Sequence, residues 1–133
     1  ERVWQQPEEH KEEQDTYEQF LVKKDVQFIE KIHQVIEENL DNSDFNIDTI
    51  ASTIGLSRSA FFKKLKSLTG FAPVDLVKEI RLNKSIELIK NSDMSISEIA
   101  FAVGFKDSGY FSKCFRKKYD QTPREYMNEW RKG

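Results

Sequence analysis

The chain has 133 residues, which is long enough for one compact domain or for two very small domains that share a helix. Hydrophobic residues make up 38% of it and charged residues 33%, and the five glycines and three prolines are too few for an all-β protein with many tight turns. The single cysteine excludes an intrachain disulfide and no apolar run is long enough to span a membrane, so we expect an all-α, cytoplasmic protein without membrane contact.

The charge is distributed unevenly along the chain. The net charge is −2, but residues 1–56 carry 14 acidic and 5 basic side chains, whereas residues 57–118 carry 13 basic and 6 acidic ones. A basic middle within an acidic chain is the pattern expected of a protein that binds a polyanion.

Residues 1–24 are rich in Glu and Gln and show no sustained hydrophobic periodicity. We interpret them as an acidic linker, or tether, with some helical tendency, which either packs on the domain or is disordered. Because the chain begins at Glu1 rather than Met, we expect the tether to connect the domain to a larger protein. The domain itself is predicted to begin at Asp25, a plausible N-terminal cap, and to extend to residue 133.

About seven helices are predicted from apolar periodicity and cap residues. The clearest helix starts are a capping box of Ser95 and Glu98, and a start at Thr122-Pro123 with Glu125 at the third position. The predicted helices cover about residues 25–40, 47–54, 58–68, 73–91, 95–104 and 108–119, and continue from residue 123.

The second and third predicted helices are repeated as the fifth and sixth. At an offset of 49 residues, Ile47, Ile50, Ala51, Ile54, Gly55 and Leu56 match Ile96, Ile99, Ala100, Val103, Gly104 and Phe105. At an offset of 50, Phe61, Lys63, Leu65, Gly70, Pro73, Leu76 and Arg81 match Phe111, Lys113, Phe115, Asp120, Pro123, Tyr126 and Arg131. A short helix, a turn with a glycine and a second helix form the helix-turn-helix pattern. A plain helical repeat array is the alternative, but such an array needs three or more copies.

The second helix of each repeat has an apolar face and an opposite face of small or cationic residues. In residues 58–69 the predicted core stripe is Phe61, Leu65 and Leu68, and the opposite face carries Ser59, Phe62, Lys63 and Lys66. In residues 108–119 the inward residues are Phe111, Cys114 and Phe115, and the opposite ones are Gly109, Ser112, Lys113 and Arg116. Small residues allow close approach to a major groove and cations reach guanines or phosphates, so these faces predict binding to double-stranded DNA. An ordinary solvated surface is the alternative, which the aromatic Phe62 disfavours, since it would contact a thymine methyl or a neighbouring helix.

The fourth predicted helix, residues 73–91, carries apolar residues on two opposite faces. Such a helix is expected to connect two bodies, which we call unit one (about residues 25–72) and unit two (about residues 92–133). Its predicted length of about 30 Å is close to one turn of B-DNA, roughly 34 Å. It would therefore place two recognition helices in successive major grooves.

These motifs resemble the DNA-binding domain of AraC-type (AraC/XylS) transcription regulators over roughly residues 25–131. The most specific motifs are Val103-Gly104-Phe105, Phe115-Arg116-Lys117 and Thr122-Pro123-Arg124-Glu125-Tyr126. In unit one, Ser57-Arg58-Ser59 and Leu68-Thr69-Gly70 are similar to the version fused behind receiver domains in hybrid two-component regulators. The resemblance implies a sequence-specific output domain, RNA polymerase as a partner if the regulator is an activator, and a homodimer as one arrangement of the full-length protein.

The resemblance also assigns base reading to Ser59, Phe62 and Lys63 in unit one and to Gly109, Ser112 and Lys113 in unit two. The full set of expected DNA-contacting residues is Arg58, Ser59, Phe62, Lys63, Lys66, Lys106, Ser108, Gly109, Ser112, Lys113 and Arg116. Because Gly109 has no side chain, we expect unit two to contribute mainly phosphate contacts, through Lys106, Lys113 and Arg116.

Two other functions agree less well with the sequence. A helical protein-interaction module without DNA binding fits the acidic isoelectric point of 5.8, and a salt-dependent affinity for DNA would distinguish the two. An enzyme is not expected, because His10 and His33 lie in no metal-binding or triad arrangement and Cys114 falls on an inward helix face. We therefore expect no catalytic residue, no metal and no cofactor.

Overall fold

The computed structural model describes the backbone of residues 2–131 and the side chains of residues 15–131. Within that range it contains no strand and seven helices: α1 (Arg2–Glu38), α2 (Ile47–Ile54), α3 (Arg58–Thr69), α4 (Pro73–Asn91), α5 (Ile96–Ala102), α6 (Ser108–Tyr119) and α7 (Pro123–Arg131). The predicted all-α fold, with two helix-turn-helix units and a long connecting helix, is confirmed. None of the described helices is both long and apolar enough to cross a membrane. The side chain of His10 and residues 132–133 lie outside the described residues.

The helix α1 begins at Arg2, so the predicted helix start at Asp25 is wrong. Residues 8–54 contain neither Gly nor Pro, and the segment before Asp25 is rich in Glu, Gln and Lys, which are favourable helix formers. With no Gly or Pro between residues 8 and 25, the helix runs through the predicted tether, and Asp25 is an interior position. Tyr17, Phe20 and Leu21 are exposed in this extension, so this part of α1 continues past the core instead of packing on it.

The ends of the later helices follow the predicted cap chemistry. Ser95 and Glu98 form a reciprocal capping box at the start of α5. Thr122 and Glu125 exchange the same two hydrogen bonds at the start of α7. At the end of α6, Asp120 adopts a left-handed backbone with a φ of 60°, as does Gly70, the residue that the repeat matches to it. Short-range chemistry therefore determines where unit two turns.

One buried apolar core extends through both units, and α4 contributes to it along its whole length. The helix contacts α1 and α3 of unit one and α5 and α7 of unit two. Leu76 and Ile80 are buried in its first half, and Leu82 and Ile89 in its second half. Both units are therefore packed against the same helix, which is why that helix carries apolar residues on two faces.

Candidate nucleic-acid interface

The helix α3 presents the predicted outer face of unit one to solvent. Phe61 and Leu65 are completely buried, and they orient the helix so that its other side faces outward. The Phe62 ring is 47% exposed, so it is open to an external partner and is not covered by a neighbouring helix. The exposed side chains predicted to contact DNA are Arg58, Ser59, Phe62, Lys63 and Lys66.

The prediction that Leu68 belongs to the core stripe of α3 is wrong, because its side chain is 39% exposed. Leu68 lies in the last turn of α3, beside the α3–α4 turn, where Phe71 is exposed as well. The helix has reached the edge of the domain at this point, so its core stripe ends at Leu65.

The helix α6 presents the corresponding face of unit two. Phe111 and Phe115 are completely buried, and Cys114 is buried beside them, as predicted for a small core residue. On the other side, Gly109, Lys113 and Arg116 are exposed, while Ser108 and Ser112 are partly exposed; Lys106 is exposed in the preceding turn.

The two recognition helices begin with different caps. In α3 the Ser57 hydroxyl accepts a hydrogen bond from the Ala60 N–H over 3.2 Å. In α6 the Asp107 carboxylate accepts one from the Gly109 N–H over 2.8 Å. A β-carbon at position 109 would lie only 3.3 Å from that carboxylate oxygen, so the glycine makes room for the cap. Unit two therefore carries a negative charge at its helix start where unit one carries a neutral hydroxyl.

Two of the predicted DNA-contacting cations are paired with acids of unit one. Arg58 Nη1 lies 3.5 Å from Asp48 Oδ1, and Lys106 Nζ lies 3.0 Å from Asp44 Oδ1. All four side chains are at least 64% exposed. Exposed pairs of this kind stabilise a protein by about 0–1 kcal/mol, so a DNA phosphate can replace the carboxylates readily.

The C-terminal end of α6 is attached to α4 by a polar cluster. Lys118 forms an ion pair with Glu79 and donates a hydrogen bond to Asn83 Oδ1 over 2.6 Å. The Tyr119 hydroxyl donates to the same Asn83 oxygen over 3.1 Å. Burial raises the pKa of Tyr119 to about 12, and the Glu79 carboxylate acts in the same direction. The Tyr119 ring also packs on Phe115 of the same helix, with their centroids 4.6 Å apart. Phe115 in turn packs on Tyr126 of α7, so the polar cluster attaches α6 to α4 and the aromatic rings attach it to α7.

Sequence patterns do not reveal the role of two arginines, although the repeat matches them to each other. Arg81 donates hydrogen bonds to the backbone carbonyl oxygens of Asn42 and Gly104. Arg131 donates to four backbone carbonyl oxygens, those of Leu88, Ile89, Ser92 and Met94. Burial lowers the pKa of Arg81, but a guanidinium stays protonated in proteins, so it remains a donor. The sequence signal for their role is that Arg81 and Arg131 match each other at an offset of 50 residues. Their acceptors are distant backbone carbonyl oxygens, which leave no pattern among the side chains of the sequence.

A cleft of about 800 Å³ lies between the N-terminal ends of the two recognition helices. Charged side chains in its walls are the cations Arg58, Lys78, Arg81 and Lys106 and the acids Asp48 and Asp107. The excess of cations in one concave surface favours a polyanion. In the part of the chain whose side chains are described, no group of His, Cys, Asp and Glu is placed to hold a metal ion.

Known proteins share this arrangement of helices. Residues 50–129 match a family model described as a helix-turn-helix domain. Histidine kinase P4 of Formosa agariphila is 38% identical over 106 residues, which are 80% of this chain. The chain spans only 8% of the length of that kinase.

Two solved structures are similar over most of the chain. The C-terminal domain of the two-component response regulator YesN from Fusobacterium nucleatum is 31% identical with a TM-score of 0.67, over 74% of this chain and 95% of that one. The DNA-binding domain of the global transcriptional factor AdpA, solved in complex with a target DNA, is 28% identical with a TM-score of 0.72, over 79% of this chain and 93% of that one. The chain therefore belongs to the AraC-type helix-turn-helix family and is a DNA-binding domain of a transcription regulator.

Proposed function

We propose that the domain binds duplex DNA by placing α3 and α6 in adjacent major grooves on one face of the double helix. The observation that carries this proposal is the packing of both helix-turn-helix units on α4. That helix has 19 residues, and at 1.5 Å per residue it is about 28 Å long. One turn of B-DNA is roughly 34 Å, so the connector has the length needed to span successive grooves.

The two units contribute differently to this binding. In unit one the exposed Phe62 and Lys63 stand beside the small Ser59, and these side chains reach base edges. In unit two Gly109 and the short Ser112 let α6 approach the groove closely without strong base readout. Phosphate contacts are assigned to Arg58, Lys66, Lys106, Ser108, Lys113 and Arg116.

The domain acts as the output module of a larger signalling protein. Its similarity to a histidine kinase of which it spans 8%, and to the C-terminal domain of a two-component response regulator, supports this assignment. Residues 1–24 then link the DNA-binding domain, residues 25–133, to signalling domains that bring two copies together. RNA polymerase is the further partner if the full-length protein activates transcription. Because its ligand is chromosomal DNA, we place the domain in the cytoplasm.

Fluorescence anisotropy with labelled duplexes, selected from a random DNA pool, tests the binding proposal. We expect the logarithm of the affinity to fall linearly with the logarithm of salt concentration, with a slope of about −0.9 per phosphate neutralised. The variant Lys113→Ala/Arg116→Ala should weaken binding to all sequences and reduce the magnitude of the slope by about two.

The matched control is Lys23→Ala/Lys31→Ala, which removes the same charge from exposed positions of α1 and should leave the slope nearly unchanged. A complete absence of duplex binding at low salt would contradict the proposal. It would favour the alternative function, a helical protein-interaction module without DNA binding.

A further inference from the structure

One guanidinium group connects the connector helix to both helix-turn-helix units. Arg81 lies in the first half of α4, where its Nη1 donates a hydrogen bond to the Gly104 carbonyl oxygen over 3.0 Å. Its Nη2 donates to the Asn42 carbonyl oxygen over 3.3 Å. Asn42 belongs to the α1–α2 loop of unit one, and Gly104 belongs to the α5–α6 turn of unit two. Arg81 is therefore bonded to the backbones of both units at once.

The two units also meet directly at this place. Gly104 has a φ of 95°, and a β-carbon there would collide with the Leu40 carbonyl oxygen of unit one. The same β-carbon would lie 2.8 Å from the Arg81 Cζ atom. Two residues further along, Lys106 pairs with Asp44 of unit one. We call this set of contacts the inter-unit contact: residues 40–44 of unit one, Arg81 of the connector, and residues 104–106 of unit two.

The inter-unit contact includes the turn that leads into the second recognition helix. The turn held by Arg81 leads directly from Gly104 to Asp107, the cap of α6. A shift of the Gly104 carbonyl relative to Asn42 would therefore move the start of α6 relative to unit one. A difference in that position changes the distance and angle between the two recognition helices.

We propose that Arg81 is a positioning residue that sets the relative orientation of α3 and α6, and thereby the spacing between half-sites that the domain accepts. This inference rests on the proposed binding of two adjacent grooves. Without Arg81 the two units stay attached to α4 through their apolar contacts, but the angle between them is less restricted. The domain then tolerates a wider range of spacings.

Arg131 provides a matched control because it occupies the equivalent position of the repeat. Its four carbonyl acceptors all lie between Leu88 and Met94, at the end of α4 and in the loop that leads into α5. These bonds order unit two and its attachment to α4, and none of these acceptors belongs to unit one. Loss of Arg131 should therefore lower stability and affinity without changing the preferred spacing.

The test compares wild type with Arg81→Ala, Arg81→Lys, Arg131→Ala and Arg131→Lys on duplexes whose half-site spacing is changed by −1, 0, +1 and +2 base pairs. We expect the wild-type affinity to fall about tenfold or more for a change of one base pair, since DNA must bend or twist to compensate. We call this factor, the affinity at the preferred spacing divided by the affinity at a spacing changed by one base pair, the spacing ratio. In Arg81→Ala the spacing ratio should fall to about threefold or less. Arg81→Lys should give an intermediate ratio, because its ammonium group replaces the planar guanidinium that bonds two carbonyl oxygens. Both Arg131 variants should lower the affinity by a common factor at all spacings.

The inference would be overturned if a folded Arg81→Ala protein had the same spacing ratio as wild type. It would also be overturned if Arg131→Ala lowered the spacing ratio as much as Arg81→Ala does. If Arg81→Ala is unfolded, as judged by loss of the helical circular dichroism signal, the spacing ratios of Arg81→Lys and Arg131→Lys are compared instead, with the same criteria.

A measurement without DNA separates this inference from the two-groove proposal. Nitroxide labels on Ser59→Cys and Ser112→Cys, in a Cys114→Ala background, report the distance between the recognition helices. We expect Arg81→Lys to broaden the distance distribution, and Arg131→Lys to leave it unchanged. An unchanged distribution in Arg81→Lys would contradict the positioning role, even if the wild type binds DNA as proposed. Conversely, a wild type without any preferred spacing would contradict the two-groove model, and the labels would still test Arg81.

Discussion

The Lys106 ammonium of unit two lies 3.0 Å from the Asp44 carboxylate of unit one. A cation expected to contact DNA phosphate is thus already paired within the protein, across the boundary between the two units. Because both side chains are largely exposed, the pair is weak and is open to competition from a phosphate. We therefore expect Asp44 to oppose DNA binding, both by its charge and by occupying Lys106.

Replacing Asp44 with Asn should tighten DNA binding. We expect about a two- to fivefold lower Kd at low salt, which corresponds to the strength of one exposed ion pair. The control is Asp41→Asn, which makes the same charge change at an exposed position of the same loop. If Asp41→Asn tightened binding as much as Asp44→Asn, the effect would arise from net charge and not from release of Lys106.

The lysines at equivalent positions of the repeat should behave differently on substitution. Lys63→Ala should reduce binding to the preferred site by about 1–3 kcal/mol and relax its specificity, because Lys63 is assigned to a base. Lys113→Ala should weaken binding to matched and scrambled duplexes by the same factor, because Lys113 is assigned to phosphate. Titrations of both variants on both duplexes measure the difference. Equal and uniform losses would contradict the distinction between a base-reading unit and a phosphate-binding unit.

Features that depend on nearby residues could be predicted from the sequence. The capping box of Ser95 and Glu98 joins residues three apart, so its geometry follows from the helix itself. Asp25 shows the limit of this approach: a good cap residue does not start a helix when the residues just before it also favour helix and, from residue 8 onward, include neither Gly nor Pro.

The role of Arg81 could not be predicted for a different reason. Its acceptors are the Asn42 and Gly104 carbonyl oxygens, which are 39 and 23 residues away along the chain. Every residue except proline carries the same kind of backbone donor and acceptor, so no pattern identifies which carbonyl will be chosen. The repeat shows that Arg81 and Arg131 are equivalent, and only the packing of the two units on α4 shows that one joins them and the other does not.

The raised pKa of Tyr119 predicts a loss of stability at alkaline pH. In the folded protein Tyr119 keeps its proton up to a pKa of about 12, whereas in the unfolded chain it ionises near its ordinary value of 10.0. Between these values the unfolded state binds fewer protons, so the free energy of unfolding falls as the pH rises from about 10 to about 12. Tyr119→Phe should remove this part of the decline, and should lower stability at neutral pH by about 1 kcal/mol through loss of the hydrogen bond to Asn83.

Urea unfolding of wild type and Tyr119→Phe at several pH values above 8 provides the measurement. The control is Tyr17→Phe on α1, where the tyrosine side chain is 61% exposed. This substitution should leave the fall in unfolding free energy at alkaline pH unchanged. Parallel pH profiles for wild type and Tyr119→Phe would show that Tyr119 ionises equally in both states, contrary to the prediction.

Hydroxyl-radical footprinting on a selected site and on the same site with five inserted base pairs tests the two-groove model most directly. On the selected site we expect two protected patches centred roughly 10 base pairs apart on one face of the duplex. Five inserted base pairs rotate one half-site to the far face, and bending the DNA to compensate costs on the order of 1–6 kcal/mol. One patch should therefore be lost and the affinity should fall. Protection of both halves of the expanded site with unchanged affinity would mean that α4 does not hold the two recognition helices at a fixed separation, and would contradict the model.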